Sequence, residues 1–267
     1  MANAAANRSS DLKPGDGYVQ SFARGLEVIR SFSASAPRQT LTEVAERSGL
    51  TRAGARRILL TLQSLGYVST DGKLFSLTPR ILDLGFAYLS SMPMWDLAEP
   101  VMEALVAKVK ESCSIAVLDG TDIVYVMRIP THKIMSISLG VGSRLPAYCT
   151  SLGRVLLAAL PESELHERLQ ASGVSSRTRY TVTDMKDLTA RITQVRKQGW
   201  SLVNQELEEG LISMSAPITN RAGQVVAGLN ISGQANRTNA KTMQETMLPQ
   251  LLSSAESISR MLTLQRA

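Results

Sequence analysis

The segment from residue 40 to residue 77 constrains the fold of this chain more than any other. Thr40 begins a short helix and is followed three residues later by Glu43, which is the spacing of a capping box. Gly49 ends that helix at a position suited to the left-handed conformation, and a second helix follows directly. Beyond it, Asp71 and Gly72 separate two β-prone runs and indicate a hairpin with a type I′ turn. Helix, glycine turn, helix and hairpin in this order predict a winged helix–turn–helix.

The second helix of this unit presents two different faces. Its apolar residues share one side and are expected to pack inward: Ala55, Ile58, Leu59, Leu62 and Leu65. The opposite side carries arginines, whose guanidinium groups match guanine edges or phosphates in the major groove of DNA. We therefore predict duplex DNA as a partner, contacted by Thr51, Arg52, Arg56, Arg57 and Gln63, and on the wing by Lys73. The alternatives are an arginine face that meets only water and a winged unit that binds proteins.

Composition argues against metalloenzymes, nucleotide hydrolases, membrane proteins and secreted proteins. The 267 residues include 29 Lys+Arg and 23 Asp+Glu, a net charge of +6 that is compatible with an anionic partner. The two cysteines, Cys113 and Cys149, cannot form a disulfide framework or a four-thiolate zinc site, and the two histidines, His132 and His166, leave little for metal or acid–base chemistry. The longest apolar run is far shorter than the roughly 20 residues of a membrane span. We expect a cytoplasmic protein without membrane, metal or cofactor, and with no catalytic activity.

The pattern along the chain divides it into four segments and predicts an α+β fold. Residues 1–17 are expected to be a disordered tail, and residues 18–78 the DNA-binding domain. Residues 79–93 form a linker helix, which begins at Pro79 and carries Leu84 and Tyr88 for contact with a second copy. Residues 94–267 alternate helices and strands, which predicts an antiparallel sheet flanked by helices. A last helix from about residue 240 to residue 264 is expected to bend at Pro249.

Three separate blocks of sequence resemble one family of bacterial transcription factors. LTEVAERSGLTRAGARRILLTLQSLGYV resembles the winged helix–turn–helix of the isocitrate-lyase-regulator (IclR) family. GVGSRLPAYCTSLGRVLLAAL and GWSLVNQELEEGLISMSAPI, followed by AGLNISG, resemble its effector-domain blocks. The TRAGARR stretch is most similar to the branch that regulates aromatic-acid catabolism through the protocatechuate and β-ketoadipate pathways. Tyr148 and Arg154 depart from the family, which often has His and Lys there; the first departure argues against a metal site reported for some members.

The resemblance implies a GAF-like effector domain that binds a small carboxylate such as protocatechuate or β-ketoadipate. Carried onto this sequence, the pocket comprises Ile134, Ile137, Ser151, Leu152, Leu211, Ser213, Asn230 and Ser232. Arg144 precedes the helix that Ser151 opens, and a guanidinium beside a helix N-terminus suits a carboxylate. Several of these residues have simpler interpretations. In these interpretations Ser151 is only a helix cap and Arg144 is a surface arginine. The Asn230–Ser232 pair then hydrogen-bonds to backbone groups at a sheet edge.

Two further expectations complete the sequence interpretation. We expect a homodimer, with a tetramer as a further possibility, because one helix–turn–helix unit reads only a few base pairs. The competing function is a small-molecule enzyme on the C-terminal domain, with the N-terminal unit as an accessory. The acidic run of Glu206, Glu208 and Glu209 is interpreted as a solvated surface rather than as an acid–base pair.

Overall fold

A computed structural model describes residues 17–90, 94–131 and 139–264, except the side chains of residues 94 and 95. The chain divides into two compact units, residues 1–90 and residues 91–267. The predicted boundaries at residues 78/79 and 93/94 stay predictions, and the predicted tail lies almost wholly outside the described residues. Over the described ranges, no helix is both long and apolar enough to cross a membrane.

The first unit is a small helical domain with a three-stranded sheet. Its elements in chain order are α1 (Gln20–Arg30), β1 (Gln39–Thr40), α2 (Leu41–Arg47), α3 (Arg52–Ser64), β2 (Val68–Thr70), β3 (Leu74–Leu77), a 3₁₀ turn (Pro79–Ile81) and α4 (Leu82–Ser90). The antiparallel strands lie in the order β1-β3-β2. The three helices α1, α2 and α3 bury one apolar core, formed by Val28, Val44, Ala45, Ala55, Leu59, Leu62 and Val68.

The two predicted signals for α2 are both confirmed. The Thr40 hydroxyl accepts a hydrogen bond from the Glu43 backbone N–H, while the Glu43 carboxylate accepts one from the Thr40 N–H at 2.7 Å. These hydrogen bonds from Thr40 lower the pKa of the Glu43 carboxyl below its usual value. Gly49 has φ +66°, the left-handed conformation that ends the helix without a Cβ clash.

The wing hairpin is confirmed, but its turn is not type I′. The last pair across the hairpin is Thr70 with Phe75, so four residues lie between the paired positions instead of two. Gly72 has a positive φ of +97°, whereas Asp71 does not adopt that region. The Asp71 carboxylate instead accepts hydrogen bonds from the backbone N–H groups of Lys73 and Leu74. A side chain that hydrogen-bonds its own turn replaces the second left-handed residue that type I′ requires.

The second unit is built on a six-stranded antiparallel sheet. Its strands are β4 (Ser112–Asp119), β5 (Asp122–Ile129), β6 (Arg144–Pro146), β7 (Ser201–Asn204), β8 (Leu211–Thr219) and β9 (Val225–Gln234), in the order β6-β5-β4-β9-β8-β7. Every described pairing is antiparallel. A strand predicted near residues 135–139 lies almost wholly outside the described residues. The short strands β1, β6 and β7 were not predicted, because two to four residues carry no readable alternation.

The helices of the second unit are α5 (Met94–Val109), α6 (Ser151–Ala158), α7 (Glu162–Ala171), α8 (Met185–Gln198), α9 (Ala240–Thr242) and α10 (Leu248–Leu264). The helices α5, α6 and α10 pack directly against the sheet. Every residue of α6 is buried, because this helix lies between the sheet and α8. The α10 helix packs against β8 and α5. The unit therefore has the predicted α+β architecture, with one fully enclosed helix that amphipathic periodicity does not reveal.

The helix type changes just before Pro249, where a bend was predicted. A π-helical turn, Met243–Met247, lies between α9 and α10 and ends two residues before the proline. Proline lacks the N–H that would continue the α-helical hydrogen-bond ladder, so the preceding turn widens.

Candidate DNA-binding surface and effector cavity

The second helix of the winged unit exposes the residues predicted to contact DNA. Thr51 caps α3 by accepting a hydrogen bond from the Gly54 N–H at 3.1 Å. The side chains of Arg52, Arg56 and Arg57 are exposed along the helix, as is that of Gln63 near its end. Ala55, Leu59 and Leu62, on the opposite side, are buried in the core of the unit. The helix therefore holds an arginine face outward on a rigid base.

The wing adds a basic residue that sequence analysis did not select. Lys73 is exposed at the tip of the hairpin, as predicted for a residue on the wing. Arg38, from the loop before β1, forms an ion pair with Asp71 in the same turn. The backbone N–H groups of Leu74 and Lys73 hold the pKa of the Asp71 carboxyl below its usual value, and Arg38 adds to the effect. Arg38 thus lies beside Lys73 through a contact between segments 33 residues apart.

A cavity in the second unit lies between the start of α6 and the sheet. The cavity includes space open to solvent. Six of the predicted pocket residues line it: Ser151, Leu152, Leu211, Ser213, Asn230 and Ser232. Its other lining residues were not predicted: Tyr125, Arg128, Leu139, Leu145, Cys149, Thr150, Val203 and Leu207. Ile134 and Ile137, the predicted apolar walls, lie outside the described residues.

Buried serines join the start of α6 to the sheet. The Ser151 hydroxyl donates to the Ser213 hydroxyl oxygen at 2.9 Å and accepts from the Ser215 hydroxyl at 2.7 Å. Thr150, not Ser151, is the cap of the helix, since its hydroxyl oxygen accepts from the Gly153 N–H. The interpretation of Ser151 as only a helix cap is therefore wrong. Ser151 faces the cavity and is positioned by two strand residues.

The arginine in the cavity is Arg128 rather than Arg144. Arg144 lies on β6, where its guanidinium forms ion pairs with Asp119 at 2.6 Å and Asp122 at 3.2 Å. The hydrogen bond to Asp119 raises the pKa of Arg144, and its side chain is 48% exposed. Arg128 lies on β5, lines the cavity, and donates to the Ser114 hydroxyl oxygen at 3.4 Å. The structure thus supports the surface interpretation of Arg144.

A signal for Arg128 was present in the sequence. Residues 122–129, DIVYVMRI, form a largely apolar strand that contains one cation, Arg128, next to its last residue. Arg128 and its neighbours Met127 and Ile129 are half-buried, and a partly desolvated guanidinium favours polar or anionic groups beside it. Tyr125 and Cys149, which also line the cavity, are buried. Burial raises the pKa of Tyr125 to about 12 and that of Cys149 to about 11, so both side chains are neutral near pH 7.

The acidic run is not uniformly solvated, because Glu206 is buried. Its carboxylate accepts two hydrogen bonds from the Arg154 guanidinium, at 2.7 and 2.6 Å. The side chains of Arg154 and Glu206 are only 3% and 5% exposed. Arg154 also donates to the Tyr148 carbonyl oxygen, and Glu206 accepts from the Val182 N–H. The predicted solvated surface is therefore wrong for Glu206, which anchors α6 to two loops.

Tyr148 is buried beside this ion pair and donates its hydroxyl to the Ser175 carbonyl oxygen at 2.8 Å. Among the residues that the structure describes, no group of three His, Cys, Asp or Glu side chains could hold a metal ion. The residues around Tyr148 therefore form a structural network in which each named polar group has a protein partner.

Sequence comparison accounts for both units together. The model of the IclR helix-turn-helix domain matches residues 21–72, and that of the bacterial transcriptional regulator IclR C-terminal domain matches residues 86–260. This chain belongs to the IclR family of bacterial transcriptional regulators.

Relatives of this IclR-family regulator cover nearly its whole length. It is 42% identical to the Pca regulon regulatory protein of Pseudomonas putida, over 92% of this chain and 84% of the relative. The crystal structure of a putative transcriptional regulator from Rhodococcus sp. RHA1 has a TM-score of 0.83 at 48% identity, and covers 92% of this chain and 98% of its own. The inducer-binding domain of the PobR transcription factor from Acinetobacter, a double mutant in complex with 3-hydroxybenzoic acid, has a TM-score of 0.58 at 30% identity. That match covers 61% of this chain and 96% of the PobR domain.

Proposed function

We propose that this IclR-family regulator binds operator DNA as a homodimer and responds to a small aromatic carboxylate by controlling aromatic-acid catabolic genes. It would act in the cytoplasm, with no chemical change to the effector. The observation that carries the proposal is the pairing of an arginine-faced recognition helix with a cavity that contains Arg128. The PobR domain in complex with 3-hydroxybenzoic acid supports the aromatic effector, and the resemblance to the Pca regulon regulatory protein supports the class of genes.

The DNA-binding part of the proposal rests on α3. Its exposed arginines can enter the major groove, where a bidentate contact contributes about 1–3 kcal/mol of base discrimination. Fluorescence anisotropy with the chain's own upstream DNA, repeated across salt concentrations, tests this part. Arg52→Ala and Arg56→Ala should weaken specific binding about 5- to 150-fold. Arg260→Ala is the matched control, because that arginine is exposed on α10 in the other unit. Equal affinity in all three variants would refute the assignment of the recognition helix.

The homodimer is proposed from the apolar surface of α4. Leu82 is 70% exposed and Phe86 68% exposed, and Leu84 and Tyr88 are also exposed on this nine-residue helix. Large apolar side chains gathered on one short helix typically mark an interface. Leu84→Glu should therefore reduce both the particle mass in sedimentation and the affinity for the operator.

Ser90→Glu is the control for that variant. It introduces the same charge on the same helix, but on the face of Asp83 and Phe86 instead of that of Leu84 and Tyr88. A wild-type monomer that binds the operator with full affinity would contradict the proposed dimer.

The effector part of the proposal rests on Arg128. A carboxylate that enters a partly desolvated cavity needs a charge-assisted partner, and the first amides of α6 have no acceptor within their own helix. Calorimetry with benzoate should show a loss of at least about 10-fold in affinity for Arg128→Met, the equivalent of about 1.4 kcal/mol. Arg144→Met should bind like the wild type, because Asp119 and Asp122 already hold that guanidinium outside the cavity. The opposite order of the two variants would place the carboxylate at Arg144.

A further inference from the structure

A row of polar residues crosses the sheet beneath α6. The strand register aligns Arg128 with Ser114, Ser114 with Asn230, Asn230 with Ser215, and Ser215 with Ser201, across β5, β4, β9, β8 and β7. Directly opposite residues on antiparallel strands point to the same face. The hydrogen bond from Ser215 to Ser151 identifies this face as the one that meets α6.

Two buried polar atoms of this row, Asn230 Oδ1 and Ser201 Oγ, have no hydrogen-bond partner among the described residues, and of the two residues only Asn230 lines the cavity. Asn230 is only 2% exposed and lines the cavity. Its side-chain N–H donates to the Ser232 hydroxyl oxygen at 2.9 Å. Its carbonyl oxygen Oδ1 is buried and accepts no hydrogen bond from any described residue. Since buried acceptors are nearly always satisfied in native proteins, this atom marks a place where a ligand atom belongs.

The chemistry of Oδ1 restricts what that ligand atom can be. An amide oxygen only accepts, so the ligand must present a donor such as a hydroxyl group. A second carboxylate or a methoxy oxygen would place two acceptors against each other and leave Oδ1 unsatisfied. Arg128 lies two strands away on the same row, so its Cα is roughly 10 Å from that of Asn230. One small molecule can therefore contact both side chains, with an acceptor group facing Arg128 and a donor group facing Asn230.

We propose that Asn230 determines specificity by accepting a hydrogen bond from an effector hydroxyl while Arg128 holds the effector's carboxylate. The inference rests on the proposed role of this cavity in binding an aromatic acid. It assigns the effector to the hydroxylated aromatic acids and excludes unsubstituted acids and simple dicarboxylic acids as good ligands.

Calorimetry on the full chain with three probes tests the proposal: 3,4-dihydroxybenzoate, benzoate and adipate. The dihydroxy acid offers a hydroxyl at two ring positions, benzoate offers none, and adipate offers a second carboxylate instead. Satisfying a buried acceptor should favour the dihydroxy acid over benzoate by a factor of about 5 to 150. Asn230→Leu, which has a similar branched shape but no acceptor, should abolish this preference, so that benzoate and the dihydroxy acid bind with similar affinity.

Asn230→Asp keeps an acceptor at the same position and should retain the preference for the hydroxylated acid, which preserves the test if the leucine variant does not fold. Ser201→Ala is the matched control, because Ser201 is buried in the same row but does not line the cavity. Equal wild-type affinity for benzoate and the dihydroxy acid, or a preference that survives in Asn230→Leu, overturns the role of Asn230. If benzoate binding still depends on Arg128 in that case, the cavity keeps its proposed function. Failure of all three acids to bind overturns both.

Discussion

The buried ion pair between Arg154 and Glu206 supports a quantitative prediction about stability. Glu206→Gln keeps the shape of the side chain but removes the charge that compensates the guanidinium of Arg154, which is 3% exposed. Loss of one partner from a buried pair costs about 3–5 kcal/mol, because the other charge stays desolvated without compensation. We therefore expect the free energy of unfolding of the second unit to fall by that amount.

The same acidic run supplies the control. Glu209 pairs with Arg179 at 3.6 Å, but both side chains are more than half exposed. An exposed pair contributes about 0–1 kcal/mol, so Glu209→Gln should change stability by no more than that. A double variant, Arg154→Met with Glu206→Leu, removes both charges together and should be more stable than Glu206→Gln.

Urea unfolding followed by tryptophan fluorescence measures these differences in the relevant unit. Both tryptophans of the chain, Trp95 and Trp200, belong to the second unit, so their signal does not report unfolding of the winged domain. If Glu206→Gln lowers the free energy of unfolding by less than about 1 kcal/mol, the reasoning is refuted. Water would then stabilise the charge of Arg154 to the same extent as the Glu206 carboxylate does. A double variant that is less stable than Glu206→Gln would also contradict it.

Three further predictions concern the packing, capping and reactivity of single residues. Gly153→Ala should destabilise the second unit by at least about 1–3 kcal/mol in urea unfolding, because an added Cβ would lie 2.1 Å from the Ala147 carbonyl oxygen. Thr40→Ala should cost about 1 kcal/mol near pH 7 in thermal unfolding of the first unit. Because hydrogen bonds from Thr40 lower the pKa of Glu43, that difference should shrink as pH falls below the usual glutamate value of 4.5, and a difference that grows would contradict it. Burial raises the pKa of Cys149 to about 11. Its thiol should therefore react with a disulfide reagent at about pH 8.5 far more slowly in the native chain than in the unfolded chain. Equal rates in the two states would show that the thiol is accessible in the native chain.

Much of the DNA-binding unit could be predicted from sequence, because its signals are local. The capping box at Thr40, the left-handed Gly49 and the alternating faces of α3 each depend on residues within one helical turn. The type of the wing turn was predicted wrongly because the Asp-Gly pair was considered without the residues that follow it. Asp-Gly is compatible with more than one turn, and the carboxylate of Asp71 selects between them through bonds to the backbone beyond it.

The cavity was predicted only in part. Most of its polar residues were identified through resemblance to a family, and Asn230 and Ser232 share a face by simple strand alternation. The cavity is lined by Arg128 and not by Arg144, which the sequence analysis left open, since residue spacing cannot show which guanidinium faces inward. Pairing of β6 with β5 brings Arg144 to Asp119 and Asp122, and so removes it from the cavity.

The sequence by itself determined most helices, the longer strands, their order and the family of this regulator. Periodicity and caps are short-range properties, and each is written within a few consecutive residues. The tertiary structure decided which charges are buried and which groups share a site. Arg154 meets Glu206 across 52 residues, and Ser151 meets Ser213 across 62. The strand register and the enclosed position of α6 determine these partners. A buried charge is tolerated only where packing places a counter-charge beside it.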